Sequence, residues 1–267
     1  MHKILLIPIS LLSAGLILKG ATQIHFSVAT SVSYQIEDSA TLKELLQSRF
    51  NCKSVKPVIY KRLPDLSGVH PAIRKKVFIR LVLPAVLIAK KEIELQRSLL
   101  LKLVRKRKQG IPLSKEENRY LSQLMKKYKA KNIAELLTKL RNHPTSLIVA
   151  QAAIESGWGT SRFTKLANNL FGIWQFKGNS GVKARQSDAI LRRYNTILES
   201  IEEYLYNLNA GWAYENFRKA RLYTDNPFVL VEHLRNYSIL RDEYTQRLKA
   251  VIEHNKLYKY DECRLEN

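Results

Sequence analysis

Between Leu147 and Ile154 eight successive residues carry only one polar side chain, Gln151, and no segment constrains the fold more. An apolar helix without a polar stripe is buried on most of its faces, so the rest of the chain must wrap around it. Asn142-His143-Pro144 breaks the chain before this helix, and Gly157, suited to a left-handed helix end, closes it. Glu155 therefore falls on the last turn. Two effects there disfavour its anion: the partial negative charge of a helix C-terminus, and desolvation by apolar neighbours, with Trp158 and Trp174 as candidates. A carboxyl that keeps its proton near neutral pH is expected at this position.

The remaining chain reads as mainly α. Thr41 to Phe50 suits a short helix, whereas Lys56–Pro71, with Pro57, Pro64, Gly68 and Pro71, reads as irregular. From Ala72 to Lys108 apolar residues recur at three- and four-residue steps, with Pro84 expected to kink or break the helix. The run Lys102–Lys108 is read as a solvated basic face. Ser114 with Glu117 forms a capping-box signature, and Asn132 with Glu135 repeats it before Ile133–Leu140. Further helices are expected near 197–208, 213–223, 227–236 and 242–255. Strand signal is thin, with residues 179–194 as the best candidate, turning at Asn179-Ser180-Gly181.

Lys and Arg number 45 against 23 Asp and Glu, a net charge of +22 that draws the protein towards polyanions. The N-terminus narrows which ones. Lys3, an apolar run from Ile4 to Leu18, and the small residues Ser27-Val28-Ala29 match an export signal, or a membrane anchor if it is not cleaved. Export to the periplasm or cell envelope excludes nucleic acid as the natural partner and leaves an anionic membrane surface as one. Cys52 and Cys263 are the only cysteines; export permits a disulfide, which sequence alone neither requires nor forbids. The six histidines show no HxH or HxxxH pairing, and neither GxGxxG nor GxxxxGK[ST] occurs, so no metal and no cofactor are expected.

Gln151-Ala-Ala-Ile-Glu-Ser-Gly-Trp-Gly159, followed by Asn168-Asn-Leu-Phe-Gly-Ile-Trp174, resembles the glucosaminidase family of peptidoglycan hydrolases, glycoside hydrolase family 73, in its Bax-type branch. Weaker matching stretches, such as Glu199-Ser200-Ile201 with Tyr204, Asn207-Leu-Asn209, Arg221 and Tyr237-Ser238, extend the likeness over about residues 70–260. The resemblance implies a lysozyme-like α+β fold, with a helical lobe, a small abbreviated β element and an added N-terminal helical segment. It implies cleavage of the β-1,4 bond on the reducing side of N-acetylglucosamine, with Glu155 as general acid. That role suits a carboxyl whose pKa is raised. Substrate contacts are expected from Gln151, Ser156, Trp158, Asn169, Phe171, Gly172 and Trp174, with Tyr206 and Trp212 as further aromatic candidates.

The second catalytic group is open at this level. Asp188 is the acidic residue of the abbreviated β-lobe. Substrate assistance by the sugar's N-acetyl oxygen is the alternative, and the family's cleft tyrosine has Tyr237 and Tyr244 as candidates, with Tyr237-Ser238 the closer match to the Bax-type pattern. A lytic transglycosylase and a non-catalytic wall-binding protein are the competing functions. The chain divides into residues 1–29 (signal or anchor), 30–71 (linker), 72–140 (N-terminal helical region), 141–260 (glucosaminidase domain) and 261–267 (tail). The sequence does not fix an oligomeric state.

Overall fold

The computed structural model describes residues 31–175, 181–183 and 190–266. The export segment and Asp188 lie outside these residues. The described chain is mainly helical with two small sheets.

The short helix expected within Thr41–Phe50 is α1 (Leu42–Gln47), and the flanking stretches read as linker or irregular carry strands, β1 (Gln35–Ser39) and β2 (Val58–Arg62). The strands pair in parallel, with Ile36 opposite Ile59, and α1 starts on a Thr41–Glu44 capping box. The proline-rich composition hid these strands, because pairing partners 23 residues apart leave no local signal. Ile59 and Leu66 are fully buried, so the segment belongs to the core.

Helix α2 (Pro71–Lys108) runs 38 residues, about 57 Å at the usual rise, and passes through Pro84 unbroken. A mid-helix proline forfeits one hydrogen bond and costs about 3 kcal/mol. Here Leu83, Ala85, Val86 and Ile88 around it are fully buried, and that packing holds the helix together. Helices α3 (Lys115–Lys127) and α4 (Ile133–Lys139) start where their caps place them: Ser114 accepts from the Glu117 amide and Asn132 from that of Glu135.

Helix α5 (Thr145–Ser156) carries the apolar run, and every residue from Leu147 to Ala153 is buried to 0% exposure. Its first turn lacks a side-chain cap of its own. The tail supplies one: Asp261 accepts from the Ser146 amide at 2.7 Å and from the Ser146 hydroxyl at 2.8 Å. A disulfide joins Cys52 to Cys263, and Val55 pairs with Leu265. Both ends of the described chain are thus sewn onto the helical body.

Helix α6 (Arg162–Ala167) leads to the small lobe, β3 (Val182–Lys183) antiparallel to β4 (Ile190–Leu191). A Cβ on Gly181 would stand 2.2 Å from Ile190 Cγ2, so only glycine fits this approach. Helices α7 (Ile197–Ala210), α8 (Glu215–Ala220), α9 (Pro227–Val231) and α10 (Asp242–His254) complete the body. The expected helices at 213–223 and 227–236 are each part α and part 3-10. No helix of the described residues is long and apolar enough to cross a membrane.

Candidate active site

Gly157 takes the left-handed conformation (φ 58°) and ends α5, leaving Glu155 partly exposed on the last turn. The turn that follows is tight. Ser156 is fully buried; its hydroxyl donates to the Ala152 carbonyl and accepts from the Gly159 amide at 3.0 Å. Trp158 also has positive φ, and its ring packs edge-on against Phe78 of α2 at 5.7 Å, under the Lys75 ammonium. The chain's turn away from α5 is therefore fixed by α2.

The Tyr244 hydroxyl on α10 donates to Glu155 Oε1 at 2.8 Å. Burial pushes the Glu155 carboxyl above its ordinary value, while the Tyr244 hydrogen bond and the Arg247 charge pull the other way. Burial wins. Tyr244 itself is held far from ionisation, first by burial and then by the nearby Glu155 charge, so it remains a neutral donor. Of the two candidate tyrosines, Tyr244 is the one bonded to Glu155. Tyr237 lies face-to-face on the Tyr244 ring at 5.5 Å and 9°.

Four of the residues expected to touch substrate are buried in the protein. Gln151 (0% exposed) bridges Tyr204 and Tyr244. Asn169 (1% exposed) binds the carbonyls of Ile173 and Arg192, tying the Asn-Leu-Phe-Gly turn to the strand region. Phe171 stacks on Tyr204 at 4.0 Å, and Ser156 shapes the turn after Glu155. Each of these side chains is enclosed by protein groups and supports the residues around Glu155. Gly172 turns the chain with φ 66°, and Trp174, bridged to Leu191, is half-exposed on the small lobe. Tyr206 packs on Tyr128, whereas Trp212 stands 90% exposed. Arg247, one turn beyond Tyr244, had no motif to mark it in the sequence.

Another carboxyl is perturbed further. Burial and the neighbouring Glu92 push Glu202 up to about 7. This pair lines a cavity of about 430 Å³ between α2 and α7, along with Gln96, Tyr128 and Tyr206. Glu155 is not among its lining residues. Glu92 and Glu202 interact with each other, and burial raises both carboxyls.

A partly exposed carboxyl with a raised pKa at a helix end suits a general acid, and the family and relatives that this chain matches make it a glycoside hydrolase. The family model described as mannosyl-glycoprotein endo-beta-N-acetylglucosaminidase matches residues 130–257. Protein bax of Escherichia coli (strain K12) is 32% identical over 212 residues, covering 73% of this chain and 74% of that protein. The exo-glucosaminidase LytG of Bacillus subtilis (strain 168) is 28% identical over 142 residues, 48% of this chain and 50% of its own length. The catalytic domain of the autolysin Auto from Listeria monocytogenes aligns over 56% of this chain and 99% of its own, at 25% identity and a TM-score of 0.38. The chain belongs to the glucosaminidase family, glycoside hydrolase family 73, in its Bax-type branch.

Proposed function

We propose that the protein hydrolyses the β-1,4 bond on the reducing side of N-acetylglucosamine in peptidoglycan glycan strands, with Glu155 as general acid. The observation that carries this reading is the position of Glu155: a partly exposed carboxyl at the end of a buried helix, its pKa raised by burial, and hydrogen-bonded by Tyr244. General acid catalysis needs a proton retained near neutral pH and delivered to the leaving oxygen.

Among the described residues Arg247 is the charged group that shifts Glu155. The second catalytic group in this reading is either Asp188 or the N-acetyl oxygen of the sugar itself. Asp188→Asn separates them: loss of turnover assigns the role to the carboxylate, and retention assigns it to the substrate.

The test is digestion of purified sacculi with mass analysis of the products. Wild-type protein should release reducing-end N-acetylglucosamine, Glu155→Gln should release none, and Glu202→Gln should behave as wild type. Anhydro-muramic ends would make the enzyme a lytic transglycosylase. Binding without product would make it a wall-binding protein.

Export places the substrate within reach, and the Cys52–Cys263 disulfide supports an oxidising compartment. The charge of +22 suits attraction to wall carboxylates and anionic lipid headgroups, an effect that salt weakens. Fractionation of cells should find the protein in the envelope, and recovery from the cytosol would refute that assignment.

A further inference from the structure

Three hydrogen bonds, two buried and the one at Glu155 part-buried, lead away from Glu155. Tyr204 on α7 donates its hydroxyl hydrogen to Gln151 Oε1. The Gln151 amide then donates to the Tyr244 hydroxyl oxygen at 3.0 Å, and Tyr244 donates to Glu155 Oε1 at 2.8 Å. Tyr204 and Tyr244 are each 2% exposed and Gln151 is fully buried, so water does not compete within the chain. Both tyrosine rings are clamped: Phe171 lies flat on Tyr204 at 4.0 Å and 5°, and Tyr237 lies flat on Tyr244.

The direction of this chain matters because each tyrosine has one hydrogen to give. In the reverse direction Glu155 would donate to Tyr244, Tyr244 to a flipped Gln151 carbonyl, and Gln151 to Tyr204. The Tyr204 hydrogen would then have no acceptor among the described residues, in a site where an unmade hydrogen bond is costly. The forward direction gives both tyrosine hydrogens an acceptor and ends on the carboxyl.

We infer that Tyr204 and Gln151 are positioning residues that hold the Tyr244 hydrogen against Glu155 Oε1, so that the transferable proton resides on Oε2. Neither touches the substrate. They act through Tyr244, and Phe171 of the Asn-Leu-Phe-Gly motif serves the same end by fixing the Tyr204 ring. The inference rests on the reading of Glu155 as general acid. It also gives the buried polar residue of α5 a chemical purpose: Gln151 sits one helical turn before Glu155 and carries the direction set at Tyr204 across to α10.

The test measures kcat, KM and the pH profile on soluble, uncrosslinked glycan strands for wild type, Tyr204→Phe, Tyr244→Phe and the double variant. Tyr204→Phe keeps the ring and its stack on Phe171, and a thermal melt confirms that each variant is folded at the assay temperature. A hydrogen bond to the carboxylate lowers its pKa, so weakening it moves the alkaline limb of the rate profile to higher pH. Tyr204→Phe should shift the limb in the same direction as Tyr244→Phe and lower kcat about tenfold with KM within about twofold, as expected of a group acting only on the proton donor. In the Tyr244→Phe background it should have almost no further effect, because coupled residues are non-additive. Gln151→Met, of similar volume, should reproduce the limb shift. An unmoved pH profile in Tyr204→Phe, or full additivity in the double variant, would overturn the relay while leaving Glu155 as the acid. Activity retained in Glu155→Gln would remove the reading of the site itself, and the relay with it.

Discussion

Arg221 sets its Nη1 atom 2.8 Å from His143 Nε2, and both side chains are buried. The guanidinium is received by the carbonyls of Thr138, Lys139 and Arg141, where α4 ends, and by Asn209 Oδ1 at 2.7 Å. A helix C-terminus offers free carbonyls and partial negative charge, which suits a cation. The same contact opposes a charge on the imidazole. Burial first, and then the Arg221 charge, hold His143 well below its ordinary value.

Stability should therefore fall in mild acid. Above the unfolded pKa of about 6.5 both states hold a neutral His143 and it contributes no pH dependence. Below it the unfolded chain takes up a proton that the folded protein refuses, at about 1.4 kcal/mol per pH unit. Urea melts at pH 7 and pH 5 check this, and His143→Gln should flatten the difference.

Glu155→Gln should abolish glycan cleavage and at the same time raise the melting temperature by about 2–4 °C at pH 7 to 8. The folded pKa is raised, so the stability that goes with the protonated carboxyl is lost as pH rises through it. Glutamine removes that loss and still accepts from Tyr244. Near pH 4 the gain should vanish, which a pair of calorimetric scans would show.

Gly159→Ala should cost about 1–3 kcal/mol in a denaturant titration. The residue has φ 82°, and an added Cβ would meet Leu66 Cδ1 and Phe78 Cδ2 at 3.1 Å each. Displacing Phe78 also moves its partner Trp158 beside Glu155, so turnover should fall with stability.

Replacing Cys52 and Cys263 with serine should destabilise the protein by about 2–5 kcal/mol. The bond closes a loop of 211 residues, and it pins the tail whose Asp261 caps α5. Denaturant melts with and without reductant should reproduce the difference in wild type and show none in the double serine variant.

The helix starts at Ser114 and Asn132, the glycine stop at Gly157 and the burial of α5 were all legible in the sequence, because each depends on neighbours within one turn. Glu155 stood out for the same reason: its helix end and its apolar company are both local. A short strand pair was expected within residues 179–194 and lies there, at 182–183 and 190–191; the turn expected at Asn179-Ser180-Gly181 precedes both strands and lies mostly outside the described residues.

What the sequence by itself determined was this local frame: mainly α, one buried helix, one carboxyl at its end. Only the tertiary structure decided that Tyr244, 89 residues away, reaches Glu155 while Tyr237 stacks behind it. It also turned Gln151, Asn169 and Phe171 from expected sugar contacts into buried supports, carried α2 through Pro84, and built a parallel strand pair from a segment that reads as a linker. The reason is common to all of these. Hydrogen bonds and packing between distant elements depend on where the chain returns, and the spacing of residues along it does not encode that distance.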